Sequence, residues 1–280
     1  GGKRIRPGVT LLAHKAVGGK DDERVINIAA SFELIHSATL IHDDINDLGE
    51  IRRGREAAYR KYGVQKALIA GDFLFVRSFR LGGIWDTRVV QIVADAATAI
   101  AESEILQSSH EFDPSVSQKT CEKIIEGKTA KIIEAAAMVG SHLGEGSEEQ
   151  VQMLGRYGLN LGMAFQIIDD ILDIDGNESQ LGKSRGVDFI DGKPTLPLMF
   201  AMQDPRSGGE LARTFVKQKK TKREVEEALQ LVRRTDAIAR SHQVAEEFRG
   251  KALRALDGLA DSIYKESLIQ LAGMVVDRKT

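Results

Sequence analysis

The chain has 280 residues, and its 39 Lys and Arg against 41 Asp and Glu leave a formal net charge of -2, so no global field recommends nucleic acid or an anionic membrane as partner. Hydrophobic residues at 42% and charged residues at 29% describe an ordinary globular chain, long enough for one large domain or two small ones with a sizeable core. Cys121 is the only cysteine, which excludes a disulfide framework and a thiolate zinc site and fits a reducing cytoplasm.

No apolar run approaches the roughly 18 residues of a membrane span, and no signal peptide precedes the first motif. The chain opens abruptly on "GGKRIRPGV", so an N-terminal helix is expected to precede Gly1. Pro7, Pro114, Pro194, Pro197 and Pro205 are the only prolines, and the long stretches between them repeat apolar residues at three- and four-residue steps. "RVINIAASFELIHSATLIHDDIND" is the first such stretch and "CEKIIEGKTAKIIEAAAMVG" the next. "SEEQVQMLGRYGLNLGMAFQIIDDILDID" follows, opened by the capping box Ser147-x-x-Gln150, and Thr221 to Val276 reads as further amphipathic helices. Breaks fall at "VGGKDD", "LGGIWD", "FDPSVS", "LGEGS", "DGNESQLGKSRG" and "QDPRSGG". Strand alternation is absent and no linker divides the chain. The expectation is an all-α single domain over residues 1–280, a bundle of about ten or more helices.

Near the end of the first stretch stands "HDDIND". Asp43 and Asp47 are four residues apart on one helix face, with Asp44 one step round, and like charges at that spacing destabilise a helix by a few tenths of a kcal/mol. The arrangement recurs in "IIDDILDID" as Asp169, Asp170 and Asp173. Each group ends a long apolar helix and is followed by a basic, glycine-bearing segment, "EIRRGR" after the first and "GKSRGVD" after the second. Six carboxylates in one cavity would repel by about 4 kcal/mol for each pair about 4 Å apart at an effective dielectric near 20. Mg²⁺ relieves such repulsion, taking one or two carboxylates per ion and completing its shell with phosphate oxygens and water. Nearby Arg and Lys offer charge-assisted contacts to phosphate. Carboxylates, Mg²⁺ and basic residues together describe a diphosphate site. "DIDGNE" fails as an EF-hand loop because its glycine comes at position four, and Glu122 and Asn177 stand where P-loops need glycine.

With these motifs in view the sequence resembles the trans-isoprenyl diphosphate synthases, the polyprenyl synthetase family. The resemblance is carried by "GGKRIRP", "HSATLIHDDINDLGEIRRGR", "GDFLF", "GKTAKI", "FQIIDDILD" and "GKSRGVDFIDGKPTLP", from Gly1 to about Phe200. It implies the isoprenoid synthase fold, helices around a central apolar cavity, and head-to-tail condensation of isopentenyl diphosphate with an allylic diphosphate. Asp43, Asp44, Asp47, Asp169, Asp170 and Asp173 would hold about three Mg²⁺ ions, with Mn²⁺ a possible substitute. Arg52, Lys128, Lys183 and Lys193 would contact the allylic diphosphate, and Lys3, Arg6, His36 and Arg53 the isopentenyl diphosphate. Thr129 and Gln166 would aim oxygen dipoles at the developing cation. Ile35, Ala38 and Thr39, in the turns before Asp43, would line the wall along which the product grows. Bulky aromatics mark that depth in short-chain members and are missing here, so a medium or long all-trans product is expected, of twenty-five to forty carbons, with twenty as the fallback. Family members pair through a helical face, so a homodimer is expected.

Several of these residues have plainer readings. His36 suits a hydrogen-bonded core histidine, Thr129 a hydroxyl bonded back into its own helix, and Gln166 a helix-packing amide. Lys128 and Lys131 suit a solvated face, and "GGKRIRP" a basic turn ended by Pro7. Arg52 and Arg53 could simply neutralise the adjacent acids. Two rival functions fit the pattern less well: a terpene cyclase, whose second site resembles Asn/Asp-x-x-Ser/Thr-x-x-x-Glu rather than "DDILD", and a silent partner subunit of a heteromer, which typically loses one DDxxD.

Overall fold

Pro7 falls in the first turn of a helix, where its missing N–H has no intrahelical partner to lose, so the basic N-terminal stretch runs into α1 (Ile5–Ala16) instead of ending in a turn. The computed structural model describes residues 4–52, 54–82, 86–176 and 185–277. Asp22 caps α2 (Glu23–Asn46), its carboxylate accepting from Arg24 N at 2.8 Å. After α2 comes a two-residue antiparallel ladder, β1 (Ile51–Arg52) with β2 (Arg55–Glu56), the only sheet among the described residues. Strands this short carry no alternation for sequence reading to find.

The rest is helical: α3 (Ala58–Tyr62), α4 (Val64–Gly82), α5 (Thr87–Ser109), α6 (Gln118–Ile125), a π-helical turn (Glu126–Ala130), α7 (Lys131–Leu143) and α8 (Glu148–Asp175). Then follow α9 (Val187–Asp191), α10 (Leu196–Met202), α11 (Gly208–Phe215), α12 (Lys222–Arg234), α13 (Ala237–Arg254) and α14 (Ile263–Val276). The capping box expected before α8 forms, with Ser147 N donating to Gln150 Oε1 at 2.9 Å and Gln150 N to Ser147 Oγ at 3.3 Å. Thr221 and Glu224 make a second one at the start of α12.

The chain folds as two compact units, each built from three separate stretches. One holds Gly1–Ala97, Ile132–Gly158 and Ala255–Gln270, the other Thr98–Lys131, Leu159–Arg254 and Leu271–Thr280, so α5, α7, α8 and α14 each belong partly to both. In the first unit Val25, Ile28, Phe32, Ile35 and Ala38 of α2 are buried, at about 1.5–3 kcal/mol for each large side chain. The buried Tyr157 hydroxyl there donates to Leu268 O at 2.7 Å. In the second unit α10 is buried from Leu196 to Ala201, and the Arg240 guanidinium of α13 stacks 4.0 Å from the Phe200 ring centroid.

The expectation that no apolar run reaches membrane-span length needs correction at α2. An 18-residue window there has mean hydropathy 1.2, enough by length and composition alone, and 39% of it is buried in the protein. Val25, Ile28, Phe32, Ile35 and Ala38 are the side chains that it buries.

Candidate active site

The first acid group sits where α2 stops, in the first unit. Asp43 and Asp44 occupy the last turn and Asp47 is the C-cap, its N–H donating to Asp43 O at 2.8 Å. Leu48 then takes the left-handed region at φ 53, and Gly49 N donates to Asp44 O at 3.0 Å, closing the helix as a Schellman turn. The reversal feeds β1 and returns Arg52 to the acids. Its Nε and Nη2 donate to Asp44 Oδ1 at 2.8 and 2.5 Å. Asp44 is only 4% exposed, so a guanidinium contact on its buried charge is what keeps that burial tolerable. Asp43 and Asp47 are half-buried.

Further back along α2, eight to fifteen residues before Asp43, Ile35, Phe32, Ser31 and Ile28 line an apolar pocket. Ser78 and Phe79 of α4 and Val89, Val90 and Val93 of α5 complete it. At 1.5 Å per residue it lies about 12–22 Å from the acids along the helix axis. Both serine hydroxyls are spent within their own helices, Ser31 on Asn27 O at 3.0 Å and Ser78 on Phe75 O at 2.6 Å, which leaves the wall apolar.

The second acid group occupies the last turns of α8, in the second unit. Asp169 is half-buried, Asp170 is 5% and Asp173 1% exposed. Gln166 Nε2 donates to Asp170 Oδ1 at 2.8 Å while its Oε1 accepts from Thr129 Oγ1 at 2.8 Å. Thr129 comes from the π-helical turn, and two glycines let that turn approach its neighbours. A Cβ on Gly127 would lie 2.7 Å from Ala99 O, and one on Gly162 would lie 2.5 Å from Ala130 Cα. The segment after α8 folds back so that Gly186 N donates to Asp173 O at 2.8 Å and Asp188 N to Asp173 Oδ2 at 3.1 Å.

Burial, then the charge of Asp188, hold the Asp170 carboxyl well above the ordinary carboxylate range; Asp169 and Asp173 push the same way, and the Gln166 hydrogen bond opposes them. Cys121 lies close enough to feel Asp170: burial first, then that charge, push its thiol up to about 12, so no thiolate nucleophile is on offer. Among the described residues no three His, Cys, Asp or Glu side chains are grouped to hold a metal by themselves. The donor chemistry still fits Mg²⁺, which prefers few carboxylates plus phosphate and water, and a cation would relieve both the burial of the Asp170 charge and its repulsion by Asp188, Asp169 and Asp173.

The sequence model of the family described as "Polyprenyl synthetase" matches residues 1–232. The chain belongs to the polyprenyl synthetase family. It is 38% identical over 280 residues to the octaprenyl diphosphate synthase of Escherichia coli (strain K12), covering 99% of this chain and 86% of that one. It is 37% identical over 282 residues to the all-trans-nonaprenyl-diphosphate synthase (geranyl-diphosphate specific) of Rhodobacter capsulatus, with coverage of 99% and 86%. Its fold matches the crystal structure of polyprenyl synthase from Caulobacter crescentus CB15, complexed with calcium and isoprenyl diphosphate, at TM-score 0.95 and 36% identity, covering 100% of this chain and 86% of that one. The fold is the all-α isoprenoid synthase fold expected from the sequence.

Within this polyprenyl synthetase the expected site residues fall out as follows. Lys3, Arg53 and Lys183 lie outside the described residues. Thr129 donates to Gln166 across helices and not back into its own, which removes the plainer reading of Thr129, while Gln166 does bridge two helices as a packing amide would. Arg52 does neutralise an adjacent acid. Lys128 Nζ lies 2.6 Å from Glu104 Oε1, and Lys193 Nζ 3.2 Å from Asp191 Oδ2. Arg6 and His36 are half-buried. Ile35 lines the pocket, Ala38 is 1% exposed, and Thr39 is half-buried with its hydroxyl on His36 O at 3.0 Å.

Sequence reasoning missed Glu104, Asp188, Phe32 and Phe79. Nothing local marks Glu104. Asp188 stood inside "GKSRGVD", where an acid in a basic loop was a usable signal. Phe32 is eleven residues before Asp43, close to three whole turns and thus on the same face, a spacing that could have found it.

Proposed function

We infer that this polyprenyl synthetase condenses isopentenyl diphosphate head to tail with an allylic diphosphate, giving a medium- or long-chain all-trans polyprenyl diphosphate. One observation carries the reading: the helix that ends in the first acid group also lines an apolar pocket about 12–22 Å further back, so a diphosphate held at the acids would extend its hydrocarbon chain toward apolar side chains. The relatives named for octaprenyl and nonaprenyl products support the product class.

In this reading Asp43, Asp44, Asp47, Asp169, Asp170 and Asp173 hold Mg²⁺, about three ions. Bound Mg²⁺ supplies positive charge that stabilises the departing pyrophosphate. Arg52, Lys128, Lys183 and Lys193 contact the allylic diphosphate, and Lys3, Arg6, His36 and Arg53 the isopentenyl diphosphate. With its hydrogen committed to Gln166, the Thr129 oxygen keeps lone pairs to offer a developing cation.

Incubation with isopentenyl diphosphate and each short allylic starter, followed by chain-length analysis, tests this. Products longer than fifteen carbons that vanish in excess chelator are expected. A twenty-carbon end product would favour the geranylgeranyl alternative, whereas a cyclic hydrocarbon, or full activity in chelator, would overturn the reading.

We further propose that the two compact units act as one catalytic domain, that the protein works in the cytoplasm, and that two copies pair through α4. Ile69, Phe73 and Val76 of that helix are 59%, 62% and 66% exposed at positions i, i+4 and i+7, one apolar stripe that supports a helical partner face. A monomeric mass in solution at micromolar concentration would refute the dimer.

A further inference from the structure

The loop between α11 and α12 carries Lys220, far in sequence from both acid groups. Its ammonium lies 4.7 Å from the centroid of the Phe112 ring, 5.3 Å from Phe189 and 5.8 Å from Phe215. It donates to Lys217 O at 2.7 Å and, across thirty residues, to Ile190 O at 3.1 Å. Ile190 belongs to α9, whose other end is bonded to the acid turn of α8 through Gly186 N and Asp188 N. Immediately after α9 the chain turns at Gly192, with φ 70, and Phe112 N donates to Gly192 O at 2.8 Å. A Cβ on Gly192 would lie 2.4 Å from the Phe112 ring, so the turn and the ring are fitted to each other. Lys193 leaves this turn, its own N–H on Asp188 O at 2.8 Å.

We propose that Lys220 is a positioning residue: its caged ammonium pins the last turn of α9 through Ile190 O and so sets where Asp188 stands against Asp173 and where Lys193 leaves the turn. A five-residue helix has too few internal hydrogen bonds to hold itself, and its two ends are fixed by different means. The α8 carboxylate of Asp173 fixes the start, and the Lys220 ammonium the finish. The charge matters as well as the length, because a neutral amine would lose the ring contacts and most of the strength of the carbonyl bonds. Burial pulls the ammonium down to about 8, against the opposing charges of Asp191 on α9 and Glu224 on α12. Glu224 is itself shared with Lys217 Nζ at 2.6 Å. The pin therefore loosens within reach of ordinary assay conditions.

The consequence for turnover rests on the reading that Lys193 contacts the allylic diphosphate; the consequence for the backbone does not. The test compares wild type, Lys220→Met and Lys220→Arg by amide hydrogen exchange over residues 186–196, without substrate, and by KM for each substrate from pH 7 to 9. Lys220→Met should exchange faster there and nowhere else, and should raise KM for the allylic diphosphate about tenfold, as supporting residues do, with a smaller change for isopentenyl diphosphate. Wild type should show the same rise above pH 8, and Lys220→Arg, which keeps its charge, should not. If Lys220→Met fails to fold, Lys220→Gln replaces it, keeping a donor for Ile190 O without the charge. Exchange and KM unchanged in the neutral variant, or the same alkaline loss in Lys220→Arg, overturns the proposal. Faster exchange in Lys220→Met, in a protein whose wild type makes no prenyl product, would overturn the reading of function alone and leave the pin standing.

Discussion

The Arg52 guanidinium grips a single oxygen of Asp44, with Nε at 2.8 Å and Nη2 at 2.5 Å from Oδ1. The first acid group therefore carries internal compensation before any ligand arrives. The second is different in kind, since burial, and then the charges of Asp188, Asp169 and Asp173, raise the proton affinity of Asp170. Removing Arg52 should expose the cost of the first arrangement. Arg52→Ala leaves a buried carboxylate alone, at about 1–2 kcal/mol after discounting for the 39% exposure of the arginine side chain. Denaturant unfolding of the metal-free protein should show this loss, and added Mg²⁺ should recover part of it. A variant as stable as wild type would mean that the pair is not what holds Asp44 in place.

Asp170 makes the opposite prediction. Its folded pKa lies above its unfolded value, so its contribution to stability is full below the unfolded value and is lost as pH rises through the folded one. Metal-free protein should accordingly weaken as pH climbs out of the ordinary carboxylate range, and divalent cation should blunt the decline. Asp170→Asn removes the titration and should gain on the order of 1 kcal/mol at neutral pH while lowering turnover by orders of magnitude. Thermal unfolding across pH, with and without Mg²⁺, checks both halves; a variant less stable than wild type at neutral pH contradicts the account.

The contrast between these two aspartates also marks how far sequence reading reaches. Helical periodicity, the cap at Ser147 and the repeated DDxxD spacing are local, and each was legible because the residues that decide it lie within four positions of one another. What surrounds the acids was not. Whether Arg52 neutralises Asp44 or waits for phosphate depends on a left-handed turn at Leu48, a residue type that rarely adopts one. The field on Asp170 comes largely from Asp188, eighteen residues on and brought back by hydrogen bonds to Asp173. The π-helical turn leaves no residue signature, because it changes hydrogen-bond register and not composition. It decides which way Lys128 and Thr129 face.

That turn should be intolerant of added bulk where α8 crosses it. A methyl on Gly162 would meet the Ala130 backbone, which cannot swing aside as a flexible side chain can. Gly162→Ala should cost about 1–3 kcal/mol, the usual range for overpacking, and should disturb the Thr129–Gln166–Asp170 chain. The expected signature is a fall in kcat larger than that of Gly209→Ala, a glycine with nothing within 4 Å of the position a Cβ would take. Equal kcat for the two variants would show that the register of the turn does not matter to catalysis.

Product length is the property on which the described pocket bears most directly. A chain anchored at Asp43 and extending along α2 passes Thr39 and Ala38 after about 6–7.5 Å, then Ile35, and reaches Phe32 near 16 Å. Ala38 is buried and has no side chain beyond Cβ, so Ala38→Phe should block the path close to the acids and shift products shorter without abolishing the first condensation. Phe32, in contrast, is already large and lines the pocket, so Phe32→Ala should open space behind it and shift products longer. It should also destabilise the protein by about 3–5 kcal/mol, the cost of deleting a buried phenyl ring. The paired shift is the test, because a general loss of packing would not move the two distributions in opposite directions. If chain-length analysis finds both variants shifted the same way, or neither shifted, the product does not grow along α2.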